Sequence, residues 1–397
     1  MARRKNHLFA ATALAAIAFG TAASAAPPAT QPAQPTTSPT ATPPHTPNMV
    51  LLYYGYDSRG PRDWTAENLK YYLGHYRDRG TPNETATDTF FDTVLWMYRI
   101  SSRGRLFETS LRTEPTTEID WRECLDRAFA PGLQLHALET ATAQLEERLK
   151  RPVHVWVVLT LPYPDVRVSR WSDTPKGTPW DFGGSDAHRL EAMQWYARTA
   201  IERWNEAGLA HLRLLGFYWF NEGHNNLRPQ AGLDNGQPTS DEGLIRETAR
   251  FVHSLRMDSR PLTLTWIPYS PYGGPRLNVT AALMKAPATD RPDYLMVQPN
   301  YFFARHKKQR DDLVTLVRNV APTGAGIEVE FDESLLKDEA ARQRLRDYLE
   351  VIPAEHPDWN RVPAGYYQGL RAVHAMATQP ELAPLYEALY NFVRARR

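Results

Sequence analysis

Eight short apolar runs of strand type recur along this chain, and stretches of helical periodicity separate them. The runs are Val50 to Tyr56, Thr93 to Ile100, Val153 to Leu161, Leu214 to Phe220, Leu262 to Ile267, Leu295 to Val297, Ile327 to Phe331 and the weaker Gly365 to Gln368. Most are continuous rather than alternating, as in parallel strands covered on both faces. Helices are predicted over Ala66 to Arg77, Trp121 to Phe129, Leu133 to Arg151, His188 to Ala207, Ser240 to Ser254, Arg310 to Val320 and Glu333 to Leu349. Thr280 to Lys285 reads as a short turn, and Gln379 to Arg396 closes the chain. Strand and helix thus alternate about eight times within one unit, which predicts an α/β fold of the (β/α)8 TIM-barrel type. An open doubly wound sheet is the alternative. No Gly-rich phosphate loop follows any strand, and Thr323-Gly324-Ala325-Gly326 precedes its strand, so the nucleotide fingerprint is missing.

The barrel unit is predicted over 49–397. Residues 1–25 read as a signal peptide. Arg3, Arg4 and Lys5 precede an apolar Leu8 to Gly20, and Ala23-Ser24-Ala25 is a small-residue cleavage site. The apolar run is short for a membrane span, so the mature chain is expected to be secreted or periplasmic, without membrane insertion. An uncleaved anchor is the other reading. Residues 26–48 hold eight Pro, no aromatic and no formal charge, and are expected to form a disordered linker.

Composition narrows the chemistry. With 46 Lys+Arg against 45 Asp+Glu, the electrostatic case for a nucleic-acid partner is absent. One Cys excludes an internal disulfide framework and a thiolate zinc site. No HxH or HExxH is present, and Gly183-Gly184-Ser185-Asp186-Ala187 fails the final Gly of a nucleophile elbow. A metal-dependent deacetylase therefore lacks its ligands, and neither metal nor cofactor is expected.

Barrel active sites lie at the C-terminal ends of the strands. Those ends carry Tyr56-Asp57-Ser58-Arg59, Tyr98-Arg99, Pro162-Tyr163-Pro164, Asn221-Glu222-Gly223-His224, Trp266-Ile267-Pro268-Tyr269 and Gln298-Pro299-Asn300-Tyr301. Strand seven is Ile327-Glu328-Val329-Glu330-Phe331-Asp332. Its alternation puts Glu328, Glu330 and Asp332 opposite the apolar face, toward the barrel interior or its mouth. Carboxylates walled by aromatics are what glycoside hydrolysis needs: one protonated acid and one ionised partner. Glu222 is the candidate acid and Glu330 the candidate nucleophile, with Glu328 one layer deeper. The plainer readings are a solvated loop or capping Glu at 222, and an Arg-supported network at 328 and 330.

Asp57, with Arg59 and Arg62, forms a polar cluster suited to sugar hydroxyls or an acidic sugar. Its plainer reading is an Asp-Ser turn. Trp64, Trp96, Tyr98, Trp266, Tyr269 and Tyr301 could stack on pyranose rings or pack in the core. Asn221, His224 and Asn300 complete the candidate substrate contacts, and the expected partner is a carbohydrate. A non-catalytic glycan-binding barrel is the second functional reading.

Asn-Glu ending strand four with Glu on strand seven resembles the large clan of retaining barrel glycosidases. That resemblance implies Glu222 as acid/base and Glu330 as nucleophile. It also implies a Tyr near strand six supporting the nucleophile, with Tyr301 the match. The strings YYGYDSRG, FDTVLWMY, GFYWFNEG, WIPYSPYG, QPNYFF and GIEVEFD are similar to the bacterial family named domain of unknown function 4855. That likeness covers most of 49–397 and implies a glycosidase-like barrel in secreted or surface proteins.

Overall fold

A computed structural model describes residues 46–57, 60–108, 113–172, 180–223, 241–270, 275–304 and 308–397. The expected signal peptide, most of the linker, Arg59 and His224 lie outside the described residues.

Each of the eight apolar runs forms a strand. They are β1 (Asn48–Asp57), β2 (Thr93–Tyr98), β3 (Val155–Leu161), β4 (Leu212–Trp219), β5 (Thr263–Trp266), β6 (Tyr294–Val297), β7 (Gly326–Glu330) and β8 (Ala364–Tyr367). Neighbours in sequence are neighbours in the sheet, all parallel, and β8 closes on β1 through pairs such as Val50 with Tyr366. The fold is a (β/α)8 barrel. Its closure leaves no strand edge unpaired within the ring, which open sheets must protect by other means.

Helices α1 (Ala66–Leu73), α2 (Glu118–Ala128), α3 (Gln134–Leu149), α4 (Asp186–Glu206), α5 (Glu242–Ser254), α6 (Pro275–Met284), α7 (Arg310–Val320) and α8 (Glu339–Glu355) connect the strands. After β8 come α9 (Ala372–Thr378) and α10 (Ala383–Arg394). Three elements differ from the sequence reading. The first helix stops at Leu73 because Gly74–Arg77 pairs antiparallel with Thr85–Thr89, a threonine-rich segment suited to a strand. Thr280 to Lys285 lies largely within the ten-residue α6 rather than in a short turn. The helix expected from Glu333 is divided: a 3-10 turn, Glu333–Leu336, comes first. Asp338 then caps α8 by accepting a hydrogen bond from Ala340 N at 2.9 Å.

Strand parity decides what reaches the site. Across β1 and β2 the register pairs Leu52 with Trp96, Tyr53 with Met97 and Tyr54 with Tyr98. The Tyr54 hydroxyl lies 3.3 Å from Cys124 Sγ on α2, so its row faces the helices. Tyr53 stands on the opposite face, toward the barrel interior. Trp219 and Trp266 pair in register and share one face. Trp219 meets the Tyr163 ring edge-on at 6.0 Å, and Tyr163 is bonded to Arg189 on α4, so this row also looks outward.

Candidate active site

Beyond the ends of β4, β5 and β6 the chain keeps pairing, and this fixes the mouth. Trp266 Nε1 donates to Asn221 O at 2.9 Å, and Tyr269 N donates to Glu222 O at 3.0 Å. Gln298 N reaches Pro268 O, and Ser270 N reaches Gln298 O, each at 3.0 Å. Glu222 and Gln298 are thereby held in adjacent positions above the barrel. From β7, alternation turns Glu328 and Glu330 inward, and they are only 0% and 1% exposed.

These groups meet in one cavity of about 170 Å³. Four carboxyls line it: Glu108, Glu222, Glu328 and Glu330. Gln298, Asn300 and Arg99 supply the other polar groups, and Tyr53, Phe220, Phe303 and Tyr367 supply the aromatic wall. Arg99 is committed to Glu108, with Nη2 3.1 Å from Oε1.

The carboxyls have unlike surroundings. Glu330 accepts from Tyr348 Oη at 2.6 Å, Asn300 N at 2.7 Å and Phe302 N at 3.3 Å. Asn300 delivers its N–H from a left-handed backbone, φ 52°, which asparagine tolerates better than most residues. Its amide also donates to Tyr269 Oη at 2.8 Å. Burial pushes Glu330 up to about 7, against the pull of those donors and of the Lys308 charge. Among the described residues no backbone donor reaches the Glu222 carboxyl. Burial and the neighbouring Glu108 push it up to about 8, opposed by the Gln298 amide and the Arg99 charge. Glu328 is raised further above the usual carboxylate range, by burial and by the charges of Glu330 and Glu222. Among the described residues neither of its oxygens has a well-formed hydrogen bond, although the Gln298 amide lies close.

Of the residues picked from sequence, Glu222, Glu328, Glu330 and Asn300 come together here, with Tyr269 bonded to Asn300 beside them. Others are placed elsewhere. Trp96, Tyr98 and Trp266 belong to the outward rows and are fully buried under the helices, which corrects their reading as sugar contacts. Asn221 turns its amide to Gly223 O at 3.0 Å and to Asp241. Asp57 is ion-paired with Arg62, and neither lines the cavity. Tyr301 donates to Asp347 Oδ2 at 2.7 Å, so the hydroxyl on Glu330 comes from Tyr348 on α8 instead. The sequence reading missed Tyr53, Arg99, Glu108, Gln298, Phe303, Tyr348 and Tyr367. Tyr367 pairs in register with Glu330, a neighbourhood that only the strand pairing reveals, and Tyr53 lies on a strand whose two faces are both apolar or aromatic. Glu108 sits in a loop and Tyr348 on a helix, where strand alternation says nothing.

Among the described residues no group of three His, Cys, Asp or Glu is arranged to hold a metal ion, and no helix is long and apolar enough to cross a membrane.

The model of a family described as a domain of unknown function (DUF4855) matches residues 48–391. No curated protein matches the sequence. Similar solved structures include concanavalin B, at 14% identity over 88% of this chain and 98% of that one, TM-score 0.40. A glycoside hydrolase family 5 enzyme from Prevotella bryantii B14 shares 10% identity over 88% and 96%, TM-score 0.42. The endo-1,4-beta-D-xylanase 10B of Clostridium thermocellum, complexed with xylohexaose, shares 11% over 76% and 61%, TM-score 0.43.

Proposed function

This chain belongs to the DUF4855 family, and we propose that it is a secreted glycoside hydrolase cleaving a poly- or oligosaccharide by the retaining, two-carboxylate route. The observation that carries this reading is the division of labour between two carboxyls in one cavity. Glu330 holds three hydrogen-bond donors, which favour its anion, as a nucleophile requires. Glu222 holds its proton to a higher pH, as a general acid requires.

In the first step Glu222 protonates the glycosidic oxygen while a Glu330 oxygen attacks the anomeric carbon. The carbon–oxygen bond breaks, the leaving alcohol departs with the proton, and a glycosyl ester remains on Glu330. Glu222, now ionised, takes a proton from water. The resulting attack on the anomeric carbon releases Glu330 and returns the starting charge state. Phe303, 43% exposed on the cavity wall and edge-on to Tyr367 at 5.6 Å, offers a platform for a sugar face. Residues 1–25 would direct export, the Pro-rich stretch from 26 up to the start of β1 at Asn48 would act as a linker, and no cofactor enters any step.

The non-catalytic reading expects the carboxyls apart, or one of them neutralised in a buried ion pair. Among the described residues neither Glu222 nor Glu330 has an ion-pair partner within reach, which favours the hydrolase. The test is a polysaccharide screen with anomer-resolved NMR of the products. Glu222→Gln and Glu330→Gln should each lower turnover about 10³-fold or more. Near-wild-type turnover in either variant removes the assignment. Activity should peak narrowly, with its acid limb near the Glu330 value of about 7 and its alkaline limb near the Glu222 value of about 8.

A further inference from the structure

The hydrolytic steps leave two carboxyls of the cavity unused: Glu108, which is paired with Arg99, and Glu328. Glu328 is fully buried, it faces the cavity, and among the described residues neither of its oxygens has a well-formed hydrogen bond. Its surroundings make this costly. Glu222 and Glu330 face the same space, and Glu108 already holds Arg99. The buried Lys308 directs its ammonium to Pro299 O at 2.6 Å and exerts its charge on Glu330.

A neutral hydroxyl partner does not explain a carboxyl at this depth. An amide would make the same hydrogen bond without an ionisable group in a low-dielectric site, and Gln298 already supplies one beside it. An acidic sugar is disfavoured as well, because its carboxylate would meet four glutamates and an occupied arginine. What the position lacks is a small cation with several donors. A sugar ammonium has that chemistry, with three N–H donors for carboxylate and amide oxygens.

We propose that the sugar seated in this cavity carries a free amino group, as in a de-N-acetylated hexosamine, and that Glu328 is the anionic partner of its ammonium. The inference rests on the hydrolase reading for the location of the sugar, but its recognition step is tested by binding alone. Burial and the charges of Glu330 and Glu222 favour the protonated form of Glu328 in the empty cavity, so docking of an ammonium should release a proton to solvent.

The experiment is calorimetry on the full chain. The ligands are the methyl glycosides of glucosamine and galactosamine, their N-acetyl counterparts, and methyl glucoside and galactoside. At a pH where the sugar amine is charged, at least one amine should bind about tenfold or more tighter than its acetylated and hydroxyl counterparts. Repeating the titration in buffers of different ionisation enthalpy should show release of about one proton per sugar. Glu328→Gln should lose the amine preference while keeping its affinity for uncharged sugars. Equal affinity for amine and neutral sugars, no proton release by the wild-type chain, or a preference that survives Glu328→Gln each overturns the inference. The amine preference of the wild-type chain is read without any variant, so its absence overturns the inference even if Glu328→Gln folds poorly. Amine-selective binding without cleavage of any glycan supports this inference and overturns the hydrolase; cleavage of glycans without amine selectivity does the reverse.

Discussion

Arg189 on α4 and Asp241 just before α5 are as deeply buried as Glu328 and Glu330 on β7, yet the two sets of charges are built differently. Arg189 Nη2 lies 2.9 Å from Asp241 Oδ1, and Tyr163 Oη donates to Asp241 Oδ2 at 2.8 Å. Arg189 Nε reaches Pro164 O at 2.8 Å, and Nη1 reaches Asp186 at 2.9 Å. This cluster is neutralised and bonded on every side, and it ties α4 to the segments after β3 and before α5. The β7 carboxyls sit among like charges, and one of them lacks a proper hydrogen bond. A satisfied buried charge explains itself as architecture. An unsatisfied one is maintained at a cost, and that cost marks where substrate chemistry belongs.

The largest expected effects separate the two sets by what fails. Glu222→Gln and Glu330→Gln should abolish turnover yet leave the melting temperature unchanged or higher, because each removes an ionisable group from a low-dielectric site. Asp241→Asn should do the opposite. It removes the buried one of Arg189's two carboxylate partners, leaving only the half-exposed Asp186, and should cost about 3 kcal/mol of stability, read as an earlier urea midpoint. A tolerant Asp241→Asn would show that the Arg189 cluster is not structural and would erase the contrast.

The barrel itself was legible because eight apolar runs of strand length, separated by helical periodicity, have few other ways to bury both faces. Glu328 and Glu330 were legible for a similar reason: β7 alternates acid with aliphatic, so its two faces differ. Elsewhere both faces are apolar or aromatic. Tyr53-Tyr54, Met97-Tyr98 and Tyr218-Trp219 give no hint which member looks inward, so the sequence leaves Trp96, Tyr98 and Trp266 open between sugar contact and core packing, and the strand register decides for the core. Tyr348 was out of reach because it arrives from a helix packed behind the strand. Its neighbour in space, Tyr301, is edge-on to it at 5.5 Å and drew the assignment instead.

That exchange of tyrosines gives a smaller and sharper test. The Tyr348 hydroxyl holds Glu330 lower than burial alone would. Tyr348→Phe should therefore raise the Glu330 pKa and move the acid limb of kcat/KM to higher pH. At neutral pH it should lower kcat about tenfold, the worth of one hydrogen bond to a charged group. Tyr301→Phe should leave the limb in place, since its hydroxyl is spent on Asp347. If the two variants shift the limb equally, Tyr348 is not the residue that positions the nucleophile.

The smallest effect is a pH dependence of stability with an unusual sign. Most buried carboxylates are paired, have depressed pKa values, and lose their contribution in acid. The three cavity glutamates are raised by burial, and Glu222 and Glu328 also by neighbouring carboxylates. The folded chain therefore binds more protons than the unfolded one between the ordinary carboxylate value and about 7 to 8. Stability is fully present below that interval and falls as pH rises through it. Glu328→Gln removes one of these groups. It should melt about 2 °C or more above wild type at pH 9, and the two should converge near pH 4, where the carboxyl is protonated folded or unfolded. Asp241→Asn should remain destabilised at both pH values, because Arg189 keeps its charge throughout and has lost its buried partner. A Glu328→Gln variant that melts below wild type at pH 9 would mean that this carboxylate is satisfied after all, and the two sets of buried charge would then be built by the same rule.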